Sequence, residues 1–166
     1  MFNNNLLGKV LKLIICLALI GLSACKNNES NSSLIELDLM KNGLPIKVLA
    51  PENPEVISND MGLIQDVTVK GEGNYSIQIV GADAHITDLK VLVGDKLNEI
   101  KASPFFTEVV QEDDNGFIFK KTISEERINY DFRYIKIQGD KEYVFQTGLI
   151  GQFSLEDVKE MYEAVR

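Results

Sequence analysis

The chain has 166 residues, 25 acidic against 17 basic, and a formal net charge of −8. That balance excludes a nucleic-acid binder, which needs a basic stripe, and a basic membrane-surface patch. With 45% hydrophobic residues and only two cysteines, the chain has the composition of a globular domain held by an apolar core.

Lys9 and Lys12 precede an apolar run, Leu13 to Leu22, which ends in Ser23-Ala24-Cys25. A positive start, a short apolar middle and a small-residue cleavage site are the parts of a secretory signal. The run falls short of the ~20 apolar residues that cross a bilayer, and it opens into the polar Lys26-Asn27-Asn28-Glu29-Ser30. Leu22-Ser23-Ala24-Cys25 resembles the lipobox of bacterial lipoproteins. The resemblance implies cleavage between Ala24 and Cys25, acylation of the Cys25 thiol and of the new amino terminus, and a membrane partner held through Cys25. Stable anchoring takes two or more acyl chains, which such a cysteine would carry. With Lys rather than Asp at position 26, the resemblance further implies the outer membrane of the cell envelope, with the periplasmic and surface faces both open.

On this reading residues 1–24 are a signal peptide, 25–33 a flexible polar tether and 34–166 a single α+β domain. Removing the leader leaves 142 residues and, because it takes two lysines and no acid, a side-chain charge of −10. Cys16 leaves with the leader and Cys25 is spent on lipid, so no thiol remains for a disulfide, a zinc site or a nucleophile.

Leu34 to Met40 alternates and reads as a strand, Asn42-Gly43 as a turn, and Ile46 to Leu49 as a second extended piece that Pro51 and Pro54 end. Val67-Thr68-Val69 and Tyr75 to Val80 form the next pair, with Gln78 expected on a wet face. Between them, Gly71-Glu72-Gly73 resembles a nucleotide-binding loop only superficially, because a strand and not a helix follows. A helix is expected from Thr87-Asp88 to about Ala102, ended by Pro104.

After Pro104 the pattern turns to period two: Phe105 to Gln111, Phe117 to Ile123, Ile128 to Ile137 and Glu142 to Leu149. Asn115-Gly116 and Gln138-Gly139-Asp140-Lys141 supply turns. The apolar register shifts at Ile135 and Ile137, which requires either a bulge or a strand covered on both faces. Ser154-Leu155-Glu156-Asp157 opens the last helix with a near capping box, and Leu155, Val158, Met161 or Tyr162, and Val165 form its buried stripe.

The fold expected is therefore α+β: an antiparallel meander with two main helices packed on it. Leu44-Pro45-Ile46-Lys47-Val48 leading to Pro51, the helix at 87–102, the meander at 105–149 and the closing helix at 154–165 resemble the PsbP-like α/β/α sandwich. The resemblance implies a binding or assembly role more than catalysis.

Chemistry-bearing residues are sparse. His85 is the lone histidine and reads as a surface residue beside the helix start. Glu112-Asp113-Asp114 lacks EF-hand spacing and reads as a solvated hairpin tip. Tyr130, Phe132, Tyr134, Tyr143 and Phe145 sit at strand spacing and read as core and cross-strand pairs before ligand-groove residues. No catalytic residue, metal ligand or cofactor is assigned. The function expected is a non-catalytic, lipid-anchored envelope protein that binds a protein or small molecule. The alternative is an envelope hydrolase, directed at glycans, working through carboxylates that sequence spacing cannot pair.

Overall fold

The computed structural model describes residues 34–166. The leader, the Ala24–Cys25 junction and the tether at 26–33 lie outside the described residues. Among the described residues, nine strands, two α-helices and a short 3-10 turn follow in order. They are β1 (Ile35–Asp38), the turn Met40–Asn42, β2 (Lys47–Ala50), β3 (Glu55–Asp60), β4 (Gln65–Lys70), β5 (Ser76–Asp83), α1 (Leu89–Lys101), β6 (Phe106–Glu112), β7 (Gly116–Ser124), β8 (Arg127–Gln138), β9 (Lys141–Thr147) and α2 (Leu155–Ala164).

Strands β3 to β9 form one seven-stranded sheet in the order β3-β4-β5-β9-β8-β7-β6, antiparallel throughout. Two meanders, β3-β4-β5 and β6-β7-β8-β9, are joined where β5 pairs with β9. α1 lies between the meanders in sequence, so its connection carries the chain from the middle of the sheet to the far edge. β1 and β2 pair as a separate hairpin.

The sheet is buried on both sides. One core joins α2 and the β1–β2 hairpin to Val67, Val69, Ile77, Ile79, Phe132, Tyr134, Tyr143 and Phe145. The other places Leu92, Val93 and Leu97 of α1 on Phe117, Phe119 and Ile135. Side chains alternate across a strand, so Phe132 and Tyr134 of β8 serve the first core while Ile135 and Ile137 serve the second. The register shift at Ile135 is thus a strand covered on both faces. β8 runs through it unbroken against β9.

The helices begin where their caps dictate. Asp88 accepts from the backbone N–H groups of Lys90 and Val91 at 3.0 and 3.2 Å, so α1 starts at Leu89, two residues inside the expected boundary. Ser154 and Asp157 complete a reciprocal capping box, Asp157 N–H to Ser154 Oγ at 3.1 Å and Ser154 N–H to Asp157 Oδ2 at 2.8 Å. The aromatics expected in the core are there: Tyr162 of α2 sits edge-on to Phe132 and Tyr134, with centroids 5.7 Å away in each case.

Two sequence expectations need correction. Strand β3 arises where no strand is expected after Pro54; it is an edge strand whose residues are almost all exposed, so burial leaves no alternation to read. Gln78 is only 5% exposed rather than wet, because neighbouring strands supply its amide with partners. The Glu112-Asp113-Asp114 stretch lies at the β6–β7 hairpin tip as expected, with Glu112 and Asp114 exposed, and Asp113 Oδ1 shapes the turn by accepting from the N–H groups of Asn115 and Gly116 at 2.9 and 3.1 Å.

Candidate functional site

The face that carries α1 is apolar beneath the helix and polar beside it. On β8 the alternation places Asn129, Asp131 and Arg133 on this face, in line with Ile135. Opposite them on β7 stand Lys121, Phe119 and Phe117. The result is a charged knot at the border of the apolar core.

Asp131 is its centre, with a side chain 8% exposed. Oδ2 accepts from Lys121 Nζ at 2.8 Å. Oδ1 accepts from Arg133 Nη1 at 3.1 Å, Phe132 N–H at 2.8 Å, Thr147 N–H at 3.2 Å and Thr147 Oγ1 at 2.7 Å. Burial pushes the Asp131 carboxyl up, but the charges of Arg133 and Lys121 and the hydrogen bonds from Lys121 and Thr147 outweigh it, leaving the pKa below the ordinary carboxylate value. Both cations also lie over the Phe119 ring, Arg133 at 5.5 Å and Lys121 at 5.8 Å from its centroid. Oδ1 takes four donors and Oδ2 the Lys121 ammonium, so the carboxylate is engaged in holding its neighbours. It positions Arg133.

Arg133 leads into a groove of about 300 Å³. Val80, Ala82 and Val144 form an apolar floor, and Ile64 and Ile100 close its sides. Gln146 joins it to an amide ladder crossing three strands: Gln146 Nε2 donates to Gln78 Oε1 at 2.7 Å, and Gln78 Nε2 donates to Asp66 at 2.9 and 3.0 Å. The rim alternates in sign, with Lys96 and Arg133 against Glu99 and Glu142. An apolar floor with a few directed polar groups is the usual make-up of a small-molecule or peptide site. A second hollow of similar volume, between the β1–β2 hairpin and β8, is lined by Ile46, Lys47 and Gln138 and has no comparable convergence of buried polar groups.

The residues singled out by sequence fall away from this groove. His85 is exposed in the β5–α1 connection. Glu112 and Asp113 belong to the β6–β7 turn, with Asp113 Oδ2 facing Arg166 at 4.0 Å. The five aromatics are structural: Tyr134 and Phe145, for example, pair edge-on across β8 and β9 at 5.9 Å. Among the described residues no group of three or more His, Cys, Asp or Glu side chains could hold a metal ion. No described helix is long and apolar enough to cross a membrane. Sequence reasoning missed Arg133, Gln146 and Gln78, whose only local signal is a polar residue at each alternate position of a buried strand. No protein-family model, curated protein or solved structure matches the chain.

Proposed function

We propose that the chain is a lipid-anchored cell-envelope protein that binds a small polar molecule or peptide segment in the groove beside α1, without catalysing its conversion. The observation that carries the reading is the Asp131 knot, which spends a buried carboxylate on holding Arg133 at the mouth of an apolar-floored groove. A pre-organised guanidinium beside an amide ladder suits a ligand with a carboxylate or amide acceptor at one end and apolar body behind it. The anchor is carried by the lipobox-like Leu22-Ser23-Ala24-Cys25, and the absence of Asp at position 26 favours the outer membrane.

The finer PsbP-like reading rests on the element order and on the closing C-terminal helix. It carries the same implication of binding or assembly.

The hydrolase reading has one observation in its favour: Glu99 and Glu142 line the same groove. A general acid needs surroundings that disfavour its charged form. Glu99 instead has a side chain 70% exposed and pairs with Lys96 at 3.6 Å. Binding is therefore preferred. Mass spectrometry of the protein purified from envelope membranes tests both parts: the expected result is an acylated Cys25 and a co-purifying ligand lost in Arg133→Ala. Glycan cleavage abolished by Glu142→Gln would overturn the non-catalytic reading.

A further inference from the structure

Leu149 and Ile150 follow β9 and are 83% and 89% exposed, the two most exposed large apolar side chains among the described residues. Their loop is pinned at both ends. Gly148 N–H donates to Ser76 O at 2.8 Å, and a Cβ on Gly148 would overlap Ser76 Oγ. Gly151 has φ +150°, and a Cβ there would overlap the Phe153 ring. Phe153 N–H is held in turn by Asn129 Oδ1 at 2.6 Å. The backbone is held at either side, and both side chains between are almost wholly exposed.

The loop lies at the end of the sheet where the described chain begins. Ile35 pairs with Ala50, and the ring of the following Pro51 packs on Gly71. Gly71 N–H donates to Tyr75 O at 2.9 Å, and the next residue, Ser76, accepts from Gly148. Tyr75 also donates through its hydroxyl to Leu49 O, tying the hairpin to this end. The β3–β4 turn with exposed Met61 and Leu63 lies at the opposite end, where Gln65 pairs with Gly81.

We infer that Leu149 and Ile150 insert into the surface of the bilayer that carries the Cys25 anchor; the inference rests on the lipid-anchor reading. Nine residue steps separate Cys25 from Leu34, a reach of roughly 30 Å when extended. The described chain therefore enters within tether length of the membrane, with the apolar loop on the same side. A domain of this negative charge gains nothing from an anionic surface, which leaves apolar insertion as the attractive term. Tethering makes that insertion intramolecular, so two side chains suffice to orient the domain.

The test uses the full-length protein, purified after processing and reconstituted in phosphatidylethanolamine–phosphatidylglycerol vesicles. With Cys16 removed and Cys25 acylated, a cysteine introduced by Leu149→Cys or Ile150→Cys is the sole thiol, and it is labelled with an environment-sensitive fluorophore. In floated vesicles its emission moves to the blue and is lost to quenchers on shallow acyl carbons, at the ~5–10 Å depth of an interfacial apolar segment. The same label on Leu63→Cys stays water-like. Labels at 149 and 150 that stay water-like in vesicles that float with the protein overturn the insertion and leave the anchor standing, and a shift appearing only on adding envelope protein does the same. Failure to float, with Cys25 unacylated, overturns the anchor and the insertion with it.

Discussion

Asp131 and Thr147 are joined twice, through Thr147 Oγ1 at 2.7 Å and Thr147 N–H at 3.2 Å, both to Oδ1. The ladder between β8 and β9 runs from Gln138↔Lys141 to Tyr134↔Phe145, so these bonds carry on the pairing with a side chain where backbone leaves off. A carboxylate there satisfies a buried N–H and holds two cations over Phe119 at once.

Asp131→Ala strips the partner from Arg133, Lys121 and the Thr147 backbone together. Breaking a buried ion pair from one side costs about 3–5 kcal/mol, and a chemical-denaturation midpoint should fall accordingly. The pH dependence has a definite sign. The folded-state pKa of Asp131 lies below its unfolded value, which is near ~3.9, so its contribution is complete above that value and is lost as pH falls through the folded one. Wild type should lose stability below about pH 4, and the Asp131→Ala variant should lose less over the same window. Parallel acid-unfolding curves for the two proteins would contradict this.

The parts of the fold legible in the sequence are those decided locally. Ser154 and Asp157 lie three residues apart and write their own capping box, and the Ile128-to-Ile137 pattern already contains both faces of β8. Strand β3 was illegible because only Val56 is partly buried along it; its existence follows from pairing with β4, not from its own residues. The site was illegible for the same reason in reverse. Asp131 alternates with Tyr130 and Phe132 like any wet-face residue, and its burial depends on Lys121 ten positions before it and Thr147 sixteen after it. The groove draws on α1, β5, β8 and β9 together, and no window of sequence contains it.

Two glycines should respond to alanine with opposite signs. Gly116 opens β7 opposite Tyr134, and a Cβ there would overlap the backbone carbonyl oxygen of Arg133, which cannot step aside without breaking the ladder. Gly116→Ala should destabilise by about 1–3 kcal/mol through overpacking. Gly94 lies inside α1, and a methyl group added there would have nothing within 4 Å. Gly94→Ala should stabilise by about 0.5–1 kcal/mol, because the helix no longer bears glycine's backbone entropy. Thermal melts of the pair, read against wild type, check both signs.

The Tyr162 hydroxyl is buried and has no hydrogen-bond partner at bonding distance, although its ring makes edge contacts with Phe132 and Tyr134. Burial, and after it the nearby Asp113 carboxylate, push its pKa above the usual tyrosine value. Tyr162→Phe keeps the ring and removes the unpaired polar atom, so stability should hold or rise by up to about 1 kcal/mol. A loss larger than that would mean the hydroxyl is bonded in solution, with Asp113 as the nearest acceptor; Asp113→Asn would then reproduce part of the loss.

Cys25→Ser tests the anchor directly. Acylation at this sulfur is what the lipobox-like sequence implies, and a serine hydroxyl cannot take its place as a thioether. The variant should accumulate with its leader uncut. With residues 1–24 removed genetically behind a conventional secretory leader, the same substitution should release the domain to the soluble envelope fraction, because a loop of two apolar side chains without acyl chains holds a membrane only weakly. Fractionation and intact-mass measurement of both forms read the outcome. A Cys25→Ser protein that is still trimmed at Ala24, and still sediments with membranes after a high-pH wash, would remove the acyl anchor, because the apolar run leaves with the leader and the membrane attachment would then belong to the domain itself.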